Sequence, residues 1–352
     1  MTDDSKMPSV SVIIPAYGRV EPLKYTLRSA AVSIGKSGFV GEIIVVDDGS
    51  EPSIEEQLAG FDAHHPVRFV RQANQGSIVA RITGLREARG NYVQFLDSDD
   101  LLHPDKFASQ ISVMESTGAD VTYTDRAEVK LGPDYSVASY RPSRTYADTE
   151  DPLILYAQIM PSPHSPVFRR DYLERVLASP LLPINRLFDP SGDVWLFRNL
   201  AFYPAKVRRV PGHFAGIGPH EENRFTGCWE KLAIASLGID EATLAVCATR
   251  LGTDRLRQSV AKGAFHSFRV LPHDVLPEFQ QRILGLCRKA PELTLSELGG
   301  RGFQIFAAIL GPIGAAKLMR RFKRPSYRRC KTLPSTLEFA ALLALLAPRE
   351  GL

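Results

Sequence analysis

Three short polar clusters hold most of the chemistry legible in this chain. Each follows an apolar run: Pro15-Ala16-Tyr17-Gly18-Arg19, then Asp47-Asp48-Gly49-Ser50, then Asp97-Ser98-Asp99-Asp100. Asp-Gly is an ordinary turn signal, so the second cluster alone reads more often as a turn than as a site. The third cluster is different. Three carboxylates in four residues repel one another, and a strand end has no obvious structural need for them. A hard divalent cation, Mg²⁺ or Mn²⁺, relieves that repulsion, takes oxygen ligands and bridges to substrate phosphates. The sequence contains neither GxxxxGK[ST] nor a GxGxxG following a strand, so no glycine cradle for phosphate is expected. A nucleotide is therefore expected to be held through metal and carboxylates.

The elements that must position these clusters alternate in period. Val10–Pro15, Glu42–Asp47, Val67–Arg71 and Tyr92–Leu96 are short apolar runs that read as buried strands. Between them, Val20–Ile34 places Leu23, Leu27, Ala30, Ala31 and Ile34 on one helical face, and Ser77–Ala88 reads as another helix. Ser53 and Glu56 have capping-box spacing. Strands that are continuously apolar and alternate with helices predict an α/β fold: a mostly parallel sheet flanked by helices. In such sheets ligands sit beyond the carboxyl ends of the strands, which is where all three clusters fall. Residues 105–125 add a helix and a strand, and six prolines between positions 132 and 166 mark loops and short elements. Beyond residue 230 the pattern is helical.

The chain has 352 residues, 44% apolar and 23% charged, which excludes a wholly disordered chain. Net charge is unevenly spread. Positions 301–352 hold ten Lys/Arg and two Asp/Glu, so a weakly acidic body precedes a strongly basic tail. The four cysteines, Cys228, Cys247, Cys287 and Cys330, form no CxxC pair, which argues against a zinc knuckle or a disulfide framework. No secretory signal is read in the first residues, and no apolar run reaches the ~18 residues of a spanning helix. A cytoplasmic location is the resulting expectation. In the tail, the apolar Phe303–Ala316 and Leu337–Ala347 flank Lys317, Arg320, Arg321, Lys323, Arg324, Arg328, Arg329 and Lys331. That pattern predicts peripheral attachment to an anionic membrane surface, on the cytoplasmic face. The competing reading is an apolar helix packed on the protein with a solvated basic face. Nucleic acid is not expected as a partner, because aromatic residues are few among these cations.

Taken together, SVIIPAYGR (11–19), EIIVVDDGS (42–50), NQGSIVARITGLREARGNYVQFLDSDD (74–100) and Ser191-Gly192-Asp193-Val194-Trp195-Leu196 resemble the family 2 inverting glycosyltransferases of GT-A fold, over roughly residues 8–230. The resemblance implies a GT-A type nucleotide-binding sheet followed by a helical C-terminal region. It implies a nucleoside-diphosphate sugar donor, with a UDP-sugar favoured, and a glycan or lipid-linked acceptor hydroxyl. Pro15, Ala16, Tyr17 and Arg19 then belong to the nucleotide-sugar site, with Pro15 and Tyr17 lining the base. Asp48 accepts a base N–H with Asp47 beside it, Arg81 approaches the diphosphate, Asp97 lies by the ribose, and Ser98 belongs to the same nucleotide-sugar site. Asp99 is the metal-holding carboxylate of a DxD motif, for Mn²⁺ or Mg²⁺, and His220 resembles a histidine near the diphosphate and metal. Asp193 matches the family's catalytic base. Read from the residues alone, Asp193 is instead a helix cap or first-turn acid. The chain departs from the family pattern at Gly18, Ile82 and Gly192, where polar or acidic residues are usual.

These readings divide the chain into a nucleotide-sugar-binding half (1–125), an acceptor half with the base (126–230), a helical extension (231–300) and a basic tail (301–352). The rival functions are a sugar-phosphate nucleotidyltransferase and a non-catalytic glycan-binding protein of the same fold.

Overall fold

A computed structural model describes residues 9–219, 229–271, 276–288, 293–322 and 336–346. The chain divides into two compact units, one of residues 1–180 with 199–221, the other of 181–198 with 222–352. Residues 126–180 thus lie in the first unit, whereas the segment around Asp193 lies in the second with the C-terminal helices.

The first unit is built on a seven-stranded sheet in the order β10-β6-β9-β4-β1-β2-β3. Its strands are β1 (Ser9–Ala16), β2 (Val40–Asp47), β3 (Val67–Arg71), β4 (Tyr92–Phe95), β6 (Val121–Tyr123), β9 (Val167–Arg169) and β10 (Val207–Arg209). β1 pairs in parallel with β2 and with β4, and β2 in parallel with β3. β9 runs antiparallel between β4 and β6. A second sheet of β5 (Leu101–Leu102), β11 (Ala215–Ile217), β7 (Arg126–Leu131) and β8 (Val137–Arg144) lies in the same unit. The sequence-predicted strands and helices of the first hundred residues all form, within two or three residues of their expected ends. The Ser53–Glu56 capping box is present and opens the short helix Ile54–Gln57.

Val12, Ile13, Ile14, Ile43, Ile44, Val45 and Val46 are completely buried, as expected for central strands covered on both faces. The helix Ser77–Glu87 lies close on the sheet because Gly84 has no side chain. A Cβ there would stand 2.2 Å from Ile13 Cγ2 and 3.1 Å from Val46 Cγ2. Any larger residue would push away the helix that bears Arg81.

A polar network runs through this core. Lys106, wholly buried in the helix Lys106–Thr117, donates from Nζ to Gln110 Oε1 (2.6 Å) and to the Ser165 carbonyl (2.8 Å). Gln110 Nε2 also reaches the Ser165 carbonyl, and Ser165 Oγ donates to the Thr124 carbonyl. Burial holds the Lys106 ammonium well below its usual pKa of 10.5, since its charged form is poorly solvated there.

The second unit is helical: Trp229–Ala248, Asp254–Val270, Pro277–Arg288, Leu295–Leu298, Arg301–Phe322 and Thr336–Leu345. The window Arg301–Arg320 is long and apolar enough by composition to cross a membrane, which the sequence reading had not expected. It is not one straight helix, however. Gly311 has φ 69° and ψ 162°, Pro312 follows it, and the two break the helix into halves. Arg320, expected among the membrane-facing cations, is buried instead. It donates to the Leu271 carbonyl and to Gln280 Oε1 and lies over the Phe268 ring.

The buried lysine makes a pH-dependent prediction. Between its depressed folded-state pKa and 10.5, the unfolded chain holds a proton that the folded chain has released, so stability rises with pH across that window. One group contributes at most about 1.4 kcal/mol per pH unit. The rise ends near pH 10, where buried phenols such as Tyr123, pushed up to about 12 by burial, begin to oppose it. Urea unfolding of Lys106→Met from neutral pH to about pH 9.5 should lack the increment seen in the wild-type chain. Equal slopes in the two proteins would show that Lys106 keeps its proton in the fold.

Candidate functional site

Three loops meet at the carboxyl edge of the parallel strands. β1 ends at Ala16, whose carbonyl accepts the Asp48 N–H at the end of β2, and Leu96 N–H, just past β4, donates to the Ile13 carbonyl. Gly18 N–H donates to Ser50 Oγ at 3.0 Å, joining the first two clusters. Arg19 Nη1 reaches Asp99 Oδ2 at 3.0 Å, joining the first to the third.

Burial and partners separate carboxylates that look alike in sequence. Asp47 is 2% exposed. Its Oδ1 accepts Ser50 N–H and its Oδ2 accepts Ile54 N–H, so it folds the loop after β2 onto the short helix. Asp48 is buried as well. Its Oδ1 accepts from Gln72 Nε2 and Gln75 N–H, and its Oδ2 from Gly76 N–H, each at 2.8 Å. A carboxylate has about four acceptor positions, and three of them are occupied. The expectation that Asp48 reads a nucleobase is thereby reduced to one remaining position. The main work of Asp48 in this structure is to hold the loop that starts the Arg81 helix. Gly76, with φ 97°, permits that close turn where another residue would be strained.

Asp97 and Asp99 stand at the opening. Their side chains are 31% and 14% exposed, and both are paired with guanidinium groups. Arg81, mostly buried on its helix, reaches Asp97 Oδ1 from Nη2 and lies 3.4 Å from Ser77 Oγ. Arg19 and Arg81 therefore already offset part of the repulsion that the sequence reading assigned to a metal. Tyr17 is 58% exposed beside them, Ala16 is buried, and Pro15 and Ser98 are half-buried.

Asp100 was not singled out from the sequence, yet it is a joint between the two sheets. It is buried, accepts Gly218 N–H on Oδ1 at 3.2 Å, and has Oδ2 3.0 Å from Nδ1 of the fully buried His164. That last approach is an ion-pair distance without hydrogen-bond alignment. The only sequence signal for this role was a fourth polar residue in a cluster that needs two. The location of His164 beside Asp100 depends on a contact between residues 64 positions apart.

Asp193 belongs to the second unit, in the first turn of the helix Gly192–Leu200, and is half-buried; its Oδ1 accepts the Val194 N–H. The helical placement matches the residue-level reading of a first-turn acid. His220 lies outside the described residues. Among the described residues, no group of three or more His, Cys, Asp or Glu is arranged to hold a metal ion.

If Asp48 is chiefly a loop clamp, Asp48→Asn should destabilise the first unit by about 1–3 kcal/mol. An amide cannot accept at both ends, so one of the N–H groups now bound would face an NH₂. Thermal or urea unfolding measures this directly. Full stability combined with lost nucleotide affinity would instead return Asp48 to a purely ligand-binding role.

Residues 11–177 match the family described as glycosyl transferase family 2. An uncharacterized glycosyltransferase of Rickettsia felis is 33% identical over 120 residues, which is 34% of this chain and 19% of that protein. A chondroitin synthase of Escherichia coli is 39% identical over 101 residues, 28% of this chain and 14% of that one. The chain thus aligns with less than a fifth of the length of either relative. In fold, S. aureus TarS 1-349 in complex with UDP-GlcNAc superposes with a TM-score of 0.57 at 18% identity, covering 91% of this chain and 92% of that one. The mannosyltransferase PcManGT of Pyrobaculum calidifontis, in complex with GDP-Man and Mn²⁺, gives 0.50 at 17% identity, covering 91% and 88%. These likenesses establish the GT-A fold, and the matched segment contains all three strand-end clusters with Arg81. Residues 11–177, just under half of the chain, are thus similar to glycosyl transferase family 2.

Proposed function

We propose that this protein transfers a sugar from a nucleoside-diphosphate sugar, with a UDP-sugar favoured, to a hydroxyl of a glycan or lipid-linked acceptor, inverting the anomeric carbon. One observation carries the reading. The loops after β1, β2 and β4 converge so that Asp97, Asp99, Arg19 and Arg81 form one partly exposed charged cluster at the carboxyl edge of the sheet. Two arginines suit an anionic diphosphate, and Tyr17, exposed beside them, offers an aromatic face for a base.

A divalent metal fits this cluster in a restricted sense. The candidate donors are carboxylate oxygens, which suit Mg²⁺ or Mn²⁺. The described residues do not supply a full ligand set, so diphosphate oxygens must complete it. Asp99 would hold such an ion, with Asp97 beside it, and Arg19 would have to share or release Asp99 Oδ2. When bound, the ion neutralises charge on the leaving diphosphate. Arg81 orients Asp97, and Arg19, once off Asp99, is free to meet a phosphate oxygen. For Asp193 we propose the role of general base, taking the proton of the attacking acceptor hydroxyl. Its support is the resemblance of Ser191–Leu196 to the family's base-bearing block, which lies beyond the matched residues 11–177, and its half-buried carboxylate.

The reading is tested with a panel of nucleotide sugars, by thermal shift with and without Mn²⁺ and by release of the free nucleoside diphosphate. Stabilisation by a UDP-sugar with release of UDP supports it. Release of inorganic pyrophosphate would assign a nucleotidyltransferase, and binding with no release under any acceptor would leave a glycan-binding protein.

Two substitutions divide the roles. Asp99→Asn should remove Mn²⁺-dependent stabilisation by UDP and abolish turnover; undiminished metal-dependent binding in that variant excludes Asp99 as a ligand. Asp193→Asn should lower the rate about 10²–10⁴-fold while donor affinity stays the same. A variant that melts lower but keeps its rate per folded molecule would show that Asp193 only begins its helix.

A further inference from the structure

The second unit has an apolar surface with no protein partner among the described residues. In the first half of the Arg301–Phe322 helix, Ile305 is 65% exposed, Phe306 45%, Ile309 76% and Leu310 49%. Only Phe303 and Ala307 of this half are buried, with Phe303 packed edge-on to Phe265 and beneath the Arg269 guanidinium. The exposed residues stand at i, i+1, i+4 and i+5, so they form one stripe along the helix. Four large side chains this exposed make a patch of the size that monomeric proteins usually reserve for an interaction.

Two further observations identify what covers it. The first is charge. The helix Arg301–Phe322 contains Arg301, Lys317, Arg320 and Arg321 and no acidic residue, and Lys323, Arg324, Arg328, Arg329 and Lys331 follow in sequence. An apolar stripe continued by cations is complementary to a surface that is apolar beneath and anionic above, which describes an anionic bilayer. The second is length. The break at Gly311 leaves Arg301–Leu310 as ten residues, about 15 Å of helix. That is half of the ~30 Å hydrocarbon thickness, so this helix lies in the interface and does not cross it. Arg320 takes no part, because it is committed to Leu271 and Gln280 inside the unit.

We infer that the Arg301–Leu310 half-helix is a peripheral membrane anchor, laying Ile305, Phe306, Ile309 and Leu310 into the interface of an anionic bilayer. Lys317 and the cations that follow Arg320 in the sequence add electrostatic attraction to the anionic surface. The inference is independent of the glycosyl-transfer reading and would survive its failure.

Flotation of the full chain with vesicles tests it. Vesicles of phosphatidylglycerol and phosphatidylcholine should bind the protein, and vesicles of phosphatidylcholine alone should bind it far more weakly. Ile305→Glu with Ile309→Glu should reduce binding roughly tenfold or more, since two buried apolar side chains are replaced by charges. Both positions face solvent, so the melting temperature should be unchanged. Charge reversal at Lys317, Arg321, Lys323 and Arg324 should weaken binding more at low salt than at high salt, because screening already suppresses that part of the attraction. As an independent readout, Ile309→Trp should shift its emission to the blue with anionic vesicles alone. Donor-induced thermal stabilisation in vesicle-free buffer should be the same in all variants, which separates this test from that of the transferase reading. Vesicle binding unaffected by the double Glu substitution overturns the inference. So does a wild-type dimer that the same substitution converts to a monomer, because the stripe would then be covered by a second copy.

Discussion

Strand β1 is hydrogen-bonded in parallel to β2 on one side and to β4 on the other, and most of its side chains are wholly buried. That pairing sets where three loops begin. With the registers Ala16↔Asp47 and Ile13↔Phe95, the residues after β1, β2 and β4 leave the sheet at the same edge. Apolar contact on both faces makes the register costly to change, since a slip of one residue would turn every side chain to the opposite face. The convergence of Arg19, Ser50 and Asp99 is a consequence of this pairing, although each sits in a different part of the sequence. Gly84 then brings the Arg81 helix close enough for its guanidinium to reach Asp97.

Five aspartates at this edge share one side-chain chemistry and divide three kinds of work. Asp47 and Asp48 are buried acceptors of backbone N–H groups, which give the loop after β2 its shape. Asp97 and Asp99 remain partly open, held by ion pairs that a ligand can enter or replace. Asp100 ties the end of β4 to the chain beyond β11. A buried carboxylate with its N–H partners in place is difficult to recruit for binding, because few acceptor positions are left and most new contacts must displace an existing one. The open pair has no such restriction.

In the second unit a few charged groups lie inside an otherwise apolar core, and one apolar stripe lies outside it. Arg282 is paired bidentately with Glu241 and also donates to the Leu346 carbonyl. Arg198 faces Asp240 at 3.4 Å, and burial still pushes that carboxyl up to about 6 despite the neighbouring cation. These pairs join helices distant in sequence and leave little of their charge for the surface. The exposed stripe on Arg301–Leu310 is the complement: apolar area for which the described part of the unit has no use.

How much of this was legible beforehand depended on the range of the interaction. The order of strands and helices, the parallel sheet, the capping box at Ser53 and the polar edge follow from short-range periodicity and turn chemistry, and the sequence alone determined them. The charged cluster at Asp97 and Asp99 was visible too, because an accumulation of like charge needs no fold to be noticed. What sequence could not decide was which partner each charge would meet. Arg19 reaches Asp99 across 80 positions, Arg81 reaches Asp97 across 16, and Asp100 receives Gly218 across 118. The tail shows the same limit. Its basic and apolar composition suggested a membrane surface, but only packing buried Arg320 while leaving Ile305 and Ile309 exposed, and only the backbone at Gly311 divided a spanning-length segment in two. Composition sets which groups are available. Burial and the partner a group finds across the fold decide whether it holds the structure or stays open for a ligand, and both arise only when distant segments pack.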